Sequence, residues 1–492
     1  MNLTQNIAQL LKDIGPGQMT SCAYETAWVA RLAKLGEPRG IAALAWLREN
    51  QLADGSWGTE SPKYYHDRLV STLAASIALA TVGDVSDRGR LERAKSALET
   101  VIPALADEAM IDTIGFEMIV PALFDEAEAL GIIQRRYYSD MERLNQQRAA
   151  KLARLPGGLI SRHITLAHSA EMAGLDGQRL LDVENLQEPN GSLGHSPSAT
   201  AYFVLNVRPG DAAALEYLYQ IPVDDGGIPY AAPFANFERS WTLWNLIVGG
   251  YPDGDLLALC QPHLDALEAS WIPGMGVGFD PGYTPKDADD TSLTFEVLRR
   301  FDRSVDVEAI LSFEEADYFR CYALESNPST SVNIHVLSAL RLAGFETDHP
   351  SVQKIIRFLH DMQFWFDKWH VSPYYPTSHA VIACAGYYND LITDAMSWIF
   401  STQNEDGSWG YFMPTAEETA YGLQALMAWK RAGQEVPEDR LKRGADWLAD
   451  HLAPPYPPLW IGKSLYTPPL IVRATLLSTL LQVTEELGER IC

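Results

Sequence analysis

The chain has 492 residues, more than one hydrophobic core usually serves, so its length predicts two domains, with three allowed. A formal charge of −26 argues against nucleic acid as the main partner, although a local Lys/Arg site or a bound cation can still hold an anionic small molecule. The five cysteines (Cys22, Cys260, Cys321, Cys384, Cys492) show no C-x-x-C spacing, which fits a reducing compartment and gives no metal signature. The start of the chain lacks a basic stretch followed by an apolar one, and no uncharged apolar run approaches about 20 residues. A cytoplasmic protein without a transmembrane segment is therefore expected.

In chain order, apolar residues recur at spacings of three and four over Leu69 to Ala80, Phe116 to Leu130, Thr419 to Trp429 and Ala474 to Leu487. Alternating strand patterns are few. Glycine and proline mark the loops at 224–229 and 453–458. The chain reads as all-α. A repeat refines this. Trp46 to Gly58, containing Gln51, Asp54-Gly55-Ser56 and Trp57, recurs as Trp398 to Gly410, containing Gln403, Asp406-Gly407-Ser408 and Trp409. A weaker copy spans Gln187 to Gly194, with Leu193 in place of Trp. The Gln amide can bond free backbone groups at a helix end, the Asp-Gly pair turns the chain, and the Trp packs over the junction. Helix pairs joined this way stack into α-α barrels, and the separation of the copies suggests two of them.

The most informative chemistry lies at Asp287-Ala288-Asp289-Asp290-Thr291. If the three carboxylates are buried, mutual repulsion disfavours ionising all of them. A neutral carboxylic acid among apolar walls can protonate even an alkene. A solvated acidic turn is the alternative reading of such a run.

The Gln/Asp-Gly/Trp element resembles the Q-x-x-x-G-x-W repeat of terpene cyclases, and Asp287–Asp290 resembles the D-x-D-D motif of class II diterpene cyclases, the copalyl diphosphate synthase family. Further segments match in order. Ala23-Tyr24-Glu25-Thr26-Ala27-Trp28 resembles A-Y-D-T-A-W, Gly115-Phe116-Glu117 with Pro121 resembles G-F-E-x-x-x-P, and Ser196-Pro197-Ser198-Ala199-Thr200 resembles S-P-S-S-T. Asp225-Gly226-Gly227-Ile228-Pro229 resembles N-G-G-V-P. The likeness runs from about residue 18 to about 475. Thr415 to Tyr421 and residues 454–461 most resemble the bacterial halimadienyl diphosphate synthases.

The resemblance implies two α-α barrels in a βγ arrangement with the active site between them. Residues 1–20 would begin the β domain, 21–239 would form an inserted γ domain, and 240–492 would complete the β domain. It also implies that Asp289 is the general acid, supported by Asn333, with Asp287 and Asp290 tuning it. His168 and Asp225 would form a terminal base. Lys151 and Lys368 would bind diphosphate, and Glu108 and Asp112 would hold Mg²⁺. Trp365, Trp369, Tyr374, Tyr375 and Trp409 would line the cavity and stabilise carbocations.

The implied substrate is geranylgeranyl diphosphate, cyclised to a bicyclic halimane, clerodane or labdane diphosphate. The D-D-x-x-D motif that ionises diphosphates is absent from the sequence, so the diphosphate would be retained. A class I terpene synthase or a phosphatase would then act on the product, and a homodimer is an allowed assembly. Three rival readings remain: a farnesyl diphosphate cyclase giving a drimane, a prenyl-binding protein without turnover, and an inverting glycoside hydrolase using Asp289 and Glu418.

Overall fold

The computed structural model describes residues 3–105, 112–134, 140–174, 177–222, 225–250, 252, 254–325, 327–360 and 365–488. Six helices close a ring: Ala235–Gly249, Ala288–Arg300, Thr330–Leu342, Tyr374–Cys384, Ala416–Arg431 and Pro469–Leu487. Each packs on the next, and the last packs on the first. The reason lies in their residues. Ala416–Arg431 is buried continuously from Ala416 to Met427, so it needs neighbours on every side. Outer helices are amphipathic instead. Glu438–Asp450 buries only Leu441, Gly444, Ala445 and Leu448, a single stripe laid on the ring.

A second ring joins Ala23–Ala30, Tyr65–Val82, Phe116–Ala129, the 3₁₀ segment Thr165–Ala173 and Pro197–Tyr202. One apolar core gathers Leu3–Ile14 with residues from Trp241 to Val483. The other gathers residues from Ala23 to Ala232. Strand structure among the described residues is limited to two short antiparallel ladders. One pairs Ser21-Cys22 with Ile228-Pro229, where the chain enters and leaves the second core. The other is a hairpin pairing Trp460-Ile461 with Leu465-Tyr466.

The repeat copies share one hydrogen-bond pattern. Gln51 Nε2 donates to Gly55 O and Arg90 O; Gln403 Nε2 donates to Gly407 O and Arg440 O. Trp57 Nε1 reaches Leu47 O at 2.8 Å, and Trp409 Nε1 reaches Ile399 O at 3.0 Å. In the Leu copy, Gln187 still reaches Gly191 O at 3.0 Å. The Gln-to-Gly bond therefore survives loss of the indole, with Asn190 in the place of Asp, and each Trp copy sits in a different ring.

Candidate active site

A cavity of about 540 Å³ opens between the two rings and is lined from both. The three carboxylates stand on its wall because Asp287 caps a helix. Its Oδ1 accepts from Asp290 N at 2.7 Å, which turns Asp289 and Asp290 into the first turn of Ala288–Arg300. Burial, then the neighbouring Asp289 charge, pushes Asp287 up to about 7, against the opposing backbone bond from Asp290. Burial, then Asp287 and Asp289, holds Asp290 well above the usual carboxylate range. Asp289 is the most open of the three, 9% exposed against 1% for Asp287 and 4% for Asp290. The acidic run is thus a buried cluster and not a solvated turn.

Asp289 Oδ1 lies 2.5 Å from His335 Nδ1. His335 Nε2 in turn lies 2.6 Å from His379 Nδ1. Burial, followed by the neighbouring His335 and His370, holds His379 well below the usual imidazole range. Asn333 does not support Asp289. Its Oδ1 accepts from Phe319 N at 2.8 Å, and its Nδ2 donates to Phe319 O and Ser329 O. The amide braces a loop, and the partner role falls to His335, two residues along the same helix.

His168 and Asp225 form no dyad. Asp225 accepts from Ser21 Oγ, Trp46 Nε1 and Gly227 N, away from the cavity. His168 lines the cavity alone. Its Nδ1 lies 2.8 Å from Gly194 O, a contact that requires Nδ1–H, and Nε2 is buried without a hydrogen-bond partner. Burial, then the Lys463 charge, keeps this imidazole well below its usual range. A neutral ring with a free lone pair on the cavity wall can accept a proton.

Lys151 and Lys368 both reach the cavity, from opposite rings. Lys151 Nζ donates to Glu117 Oε1 at 2.7 Å. Lys368 pairs with Glu325 and donates to Asn327 O at 2.8 Å. Gly115, at φ +71°, starts the helix that carries Glu117. Arg143 adds a third cation to the lining. Asp112 lines the same cavity and pairs with His66 Nε2 at 3.0 Å. Glu108 lies outside the described residues. No group of three His, Cys, Asp or Glu side chains among the described residues is arranged to hold a metal. Of the two carboxylates expected to hold Mg²⁺, Asp112 is the one among the described residues.

Of the expected aromatics, Trp369 alone lines the cavity. Trp409 and Tyr375 are packed in the ring core, and Tyr374 stacks on Trp398 with centroids 4.4 Å apart. Trp365 packs against the outside of that core. The lining aromatics are instead Tyr230, Phe234, Phe237, Phe279, Tyr283, Tyr322, Trp460 and Tyr466, mostly from loops. Tyr230 stacks on Tyr466 at 5.1 Å and lies over Gly462, where an added Cβ would come within 2.6 Å of the ring. Glu418 bonds Ser372, Tyr411 N and Thr415 and does not line the cavity, so the carboxylate pair of a glycoside hydrolase is not assembled.

Sequence reasoning also missed Lys463, at the hairpin tip and fully buried. Its Nζ donates to Glu171 Oε1 at 2.8 Å and to Ser196 and Ser198 Oγ at 2.7 Å, with Glu25 at 3.6 Å. Burial raises Glu25 to about 7, against the opposing Lys463 charge. Residues from the Ala23–Trp28 and Ser196–Thr200 motifs thus receive a lysine from the other ring.

The family described as the squalene–hopene cyclase C-terminal domain matches residues 299–455. A type B diterpene cyclase of Mycobacterium tuberculosis is 44% identical over 95% of this chain and 96% of its own length. An ent-copalyl diphosphate synthase of a Streptomyces species is 32% identical, over 96% and 94%. The solved ent-copalyl diphosphate synthase of Streptomyces platensis superimposes with a TM-score of 0.77 at 27% identity, covering 98% of both chains.

Proposed function

The chain belongs to the class II diterpene cyclases, and from that premise we propose that it cyclises geranylgeranyl diphosphate to a bicyclic diphosphate by protonating the terminal alkene. The observation that carries this reading is the placing of Asp289, with Oδ1 taken by His335, on the wall of an aromatic cavity that also presents Lys151 and Lys368. Oδ2 is left to face substrate. As its proton moves to the alkene, a carboxylate forms beside His335, and a hydrogen bond to the charged form favours that product. The ring faces of Tyr230, Trp460 and Tyr466 favour a cation over water at the reacting carbons.

In this reading the lysines hold the diphosphate, His168 removes the final proton, and the C–O bond to diphosphate stays intact. A class I terpene synthase or a phosphatase would consume the product. Mg²⁺ would accompany the diphosphate as a counter-ion near Asp112, supplying charge neutralisation. A rearranged halimane or clerodane skeleton is the proposed product. Three domain segments are proposed, 1–20 and 240–492 for the acid-bearing unit and 21–239 for the inserted one; the division of the two cores supports them.

The test is incubation with geranylgeranyl diphosphate and Mg²⁺, dephosphorylation, and GC-MS, with pyrophosphate followed in parallel. A bicyclic alcohol without pyrophosphate is expected. Release of pyrophosphate in step with substrate loss overturns the reading. Turnover of farnesyl diphosphate in preference moves the substrate to the shorter chain.

A further inference from the structure

A second cavity, of about 490 Å³, opens at the far end of the six-helix ring. Asp289 occupies the first turn of Ala288–Arg300, and this cavity meets the last turn of the same helix, about 16 Å along the axis. The volume is that of a small-molecule pocket. The walls are apolar: Ile247, Val248, Leu342, Ile382, Ala385 and Ala428. The floor is closed. Glu296 is 4% exposed and accepts from Trp244 Nε1 at 3.3 Å, and the buried Gln424 donates to Asn245 Oδ1 at 3.3 Å.

The mouth is basic. Glu296 lies one helical turn inside Arg300, and Ser338 one turn inside Arg341, so both helices end their cavity face on a guanidinium. Arg431 adds a third from Ala416–Arg431. The carbonyl ends of helices draw cations to such a place. Arg341 donates to Ala383 O and Arg431 to Val248 O, each at 2.8 Å. A guanidinium carries five N–H donors, more than one carbonyl takes. Partial burial lowers Arg341 and Arg431, and the nearby Arg300 charge adds to the lowering in both. Glu296 is the one carboxylate among the described lining residues, against three arginines. Glu486, near Arg431, is also held by Lys430 at 2.9 Å. Positive charge is thus concentrated on an apolar-walled cavity in a chain of formal charge −26.

We propose that this cavity is a second, non-catalytic binding site for a phosphomonoester amphiphile, with the phosphate at the three guanidiniums and a short apolar body on the walls. Guanidinium forks match phosphate oxygens in pairs. Inorganic phosphate alone would leave the walls wet, and an uncharged body alone would leave the arginines without an anion. Occupancy ties together the ends of Ala288–Arg300, Thr330–Leu342 and Ala416–Arg431, the first two of which carry Asp289 and His335. Binding requires no turnover, so the proposal stands apart from the cyclase reading.

The test is titration calorimetry of the full-length protein with octyl phosphate below its micellar concentration, with octanol and inorganic phosphate as single-feature probes. The first cavity also presents lysines, so two double variants separate the sites: Lys151→Gln with Lys368→Gln, and Arg300→Gln with Arg431→Gln. Octyl phosphate is expected to bind the lysine variant within threefold of the wild-type affinity and the arginine variant at least tenfold more weakly. Each single-feature probe should bind wild type at least tenfold more weakly than octyl phosphate does. A rise in melting temperature with octyl phosphate should persist in the lysine variant and vanish in the arginine variant. No binding to wild type overturns the proposal. So does binding lost in the lysine variant and kept in the arginine variant, which assigns the amphiphile to the first cavity, and so does equal binding by all three proteins. If the arginine variant does not fold, Ala428→Trp, which fills the cavity from its wall, decides: an affinity equal to wild type overturns the site. Vesicles separate the two sources of such a head. Co-sedimentation with phosphatidylcholine vesicles carrying phosphatidate, lost in the arginine variant, supports the site with a membrane lipid as its source. Octyl phosphate binding without co-sedimentation supports it with a free amphiphile.

Discussion

His335 Nδ1 lies 2.5 Å from Asp289 Oδ1, which assigns one oxygen of the middle carboxylate to an imidazole and leaves the other to the cavity. Only a carboxyl at this position offers an acidic hydrogen to substrate. Asp289→Asn keeps the shape and removes the acid, so turnover is expected to fall at least a hundredfold while the helical CD spectrum is unchanged. Retention of more than about a tenth of wild-type turnover would falsify the acid assignment.

The supporting imidazole has a smaller, separable effect. His335→Leu removes one hydrogen bond to a group that becomes charged, worth about 1.5–3 kcal/mol. A drop in kcat of about 10- to 100-fold with little change in KM is expected. A selective rise in KM would mean that His335 acts on binding instead.

Much of this site was legible in the sequence, and the misses have physical causes. The acidic cluster could be found because one helix cap places three carboxylates together within four residues. The repeat could be found because Gln, Asp-Gly and Trp each satisfy a fixed backbone group. The resemblance points to Asn333, whereas the structure brings His335 to Asp289: the two share a helix, and a two-residue offset turns a side chain to another face. Knowing which face meets Asp289 requires the packing of Ala288–Arg300 on Thr330–Leu342. The cavity aromatics escaped because loops such as Tyr230–Phe234 and Phe279–Tyr283 have no periodicity to phase them. Lys463 was missed because a lone lysine reads as solvated; its signal was its place between the ladder pairs Trp460-Ile461 and Leu465-Tyr466.

The pH profile follows from Asp287. Its folded value, raised to about 7, exceeds the unfolded value near 4, so its contribution to stability is full below about pH 4 and is lost as pH rises through about 7. Ionisation there also sets a negative charge beside Asp289 and makes proton release harder. Turnover is expected to fall above about pH 7, and Asp287→Asn should remove or displace that limb. An identical limb in the variant assigns it to another group.

The buried lysine tests how the two rings are held together. Lys463→Met leaves Glu171 and Glu25 buried without their cation, a change of the kind that costs about 3–5 kcal/mol. Urea unfolding should show that loss, and Lys463→Met with Glu171→Gln together should recover part of it. No recovery in the double variant argues that the lysine acts through packing alone.

The end of the reaction tests the role of His168. Its Nδ1 is committed to Gly194 O, its Nε2 carries a lone pair with no partner, and the ring stands on the cavity wall at 5.1 Å from Tyr230. Asp225, bound to Ser21 and Trp46, cannot stand in for it. His168→Ala removes the base without touching Asp289 or the lysines. Initiation should survive, so substrate is consumed within about tenfold of the wild-type rate, a general base contributing far less to protonation than to deprotonation. The cation, once formed, must then lose a proton elsewhere or take up water, and GC-MS after dephosphorylation should show new double-bond isomers or a hydroxylated bicycle. An unchanged product profile would remove His168 from the base role and leave it as a buried ring bonded to Gly194.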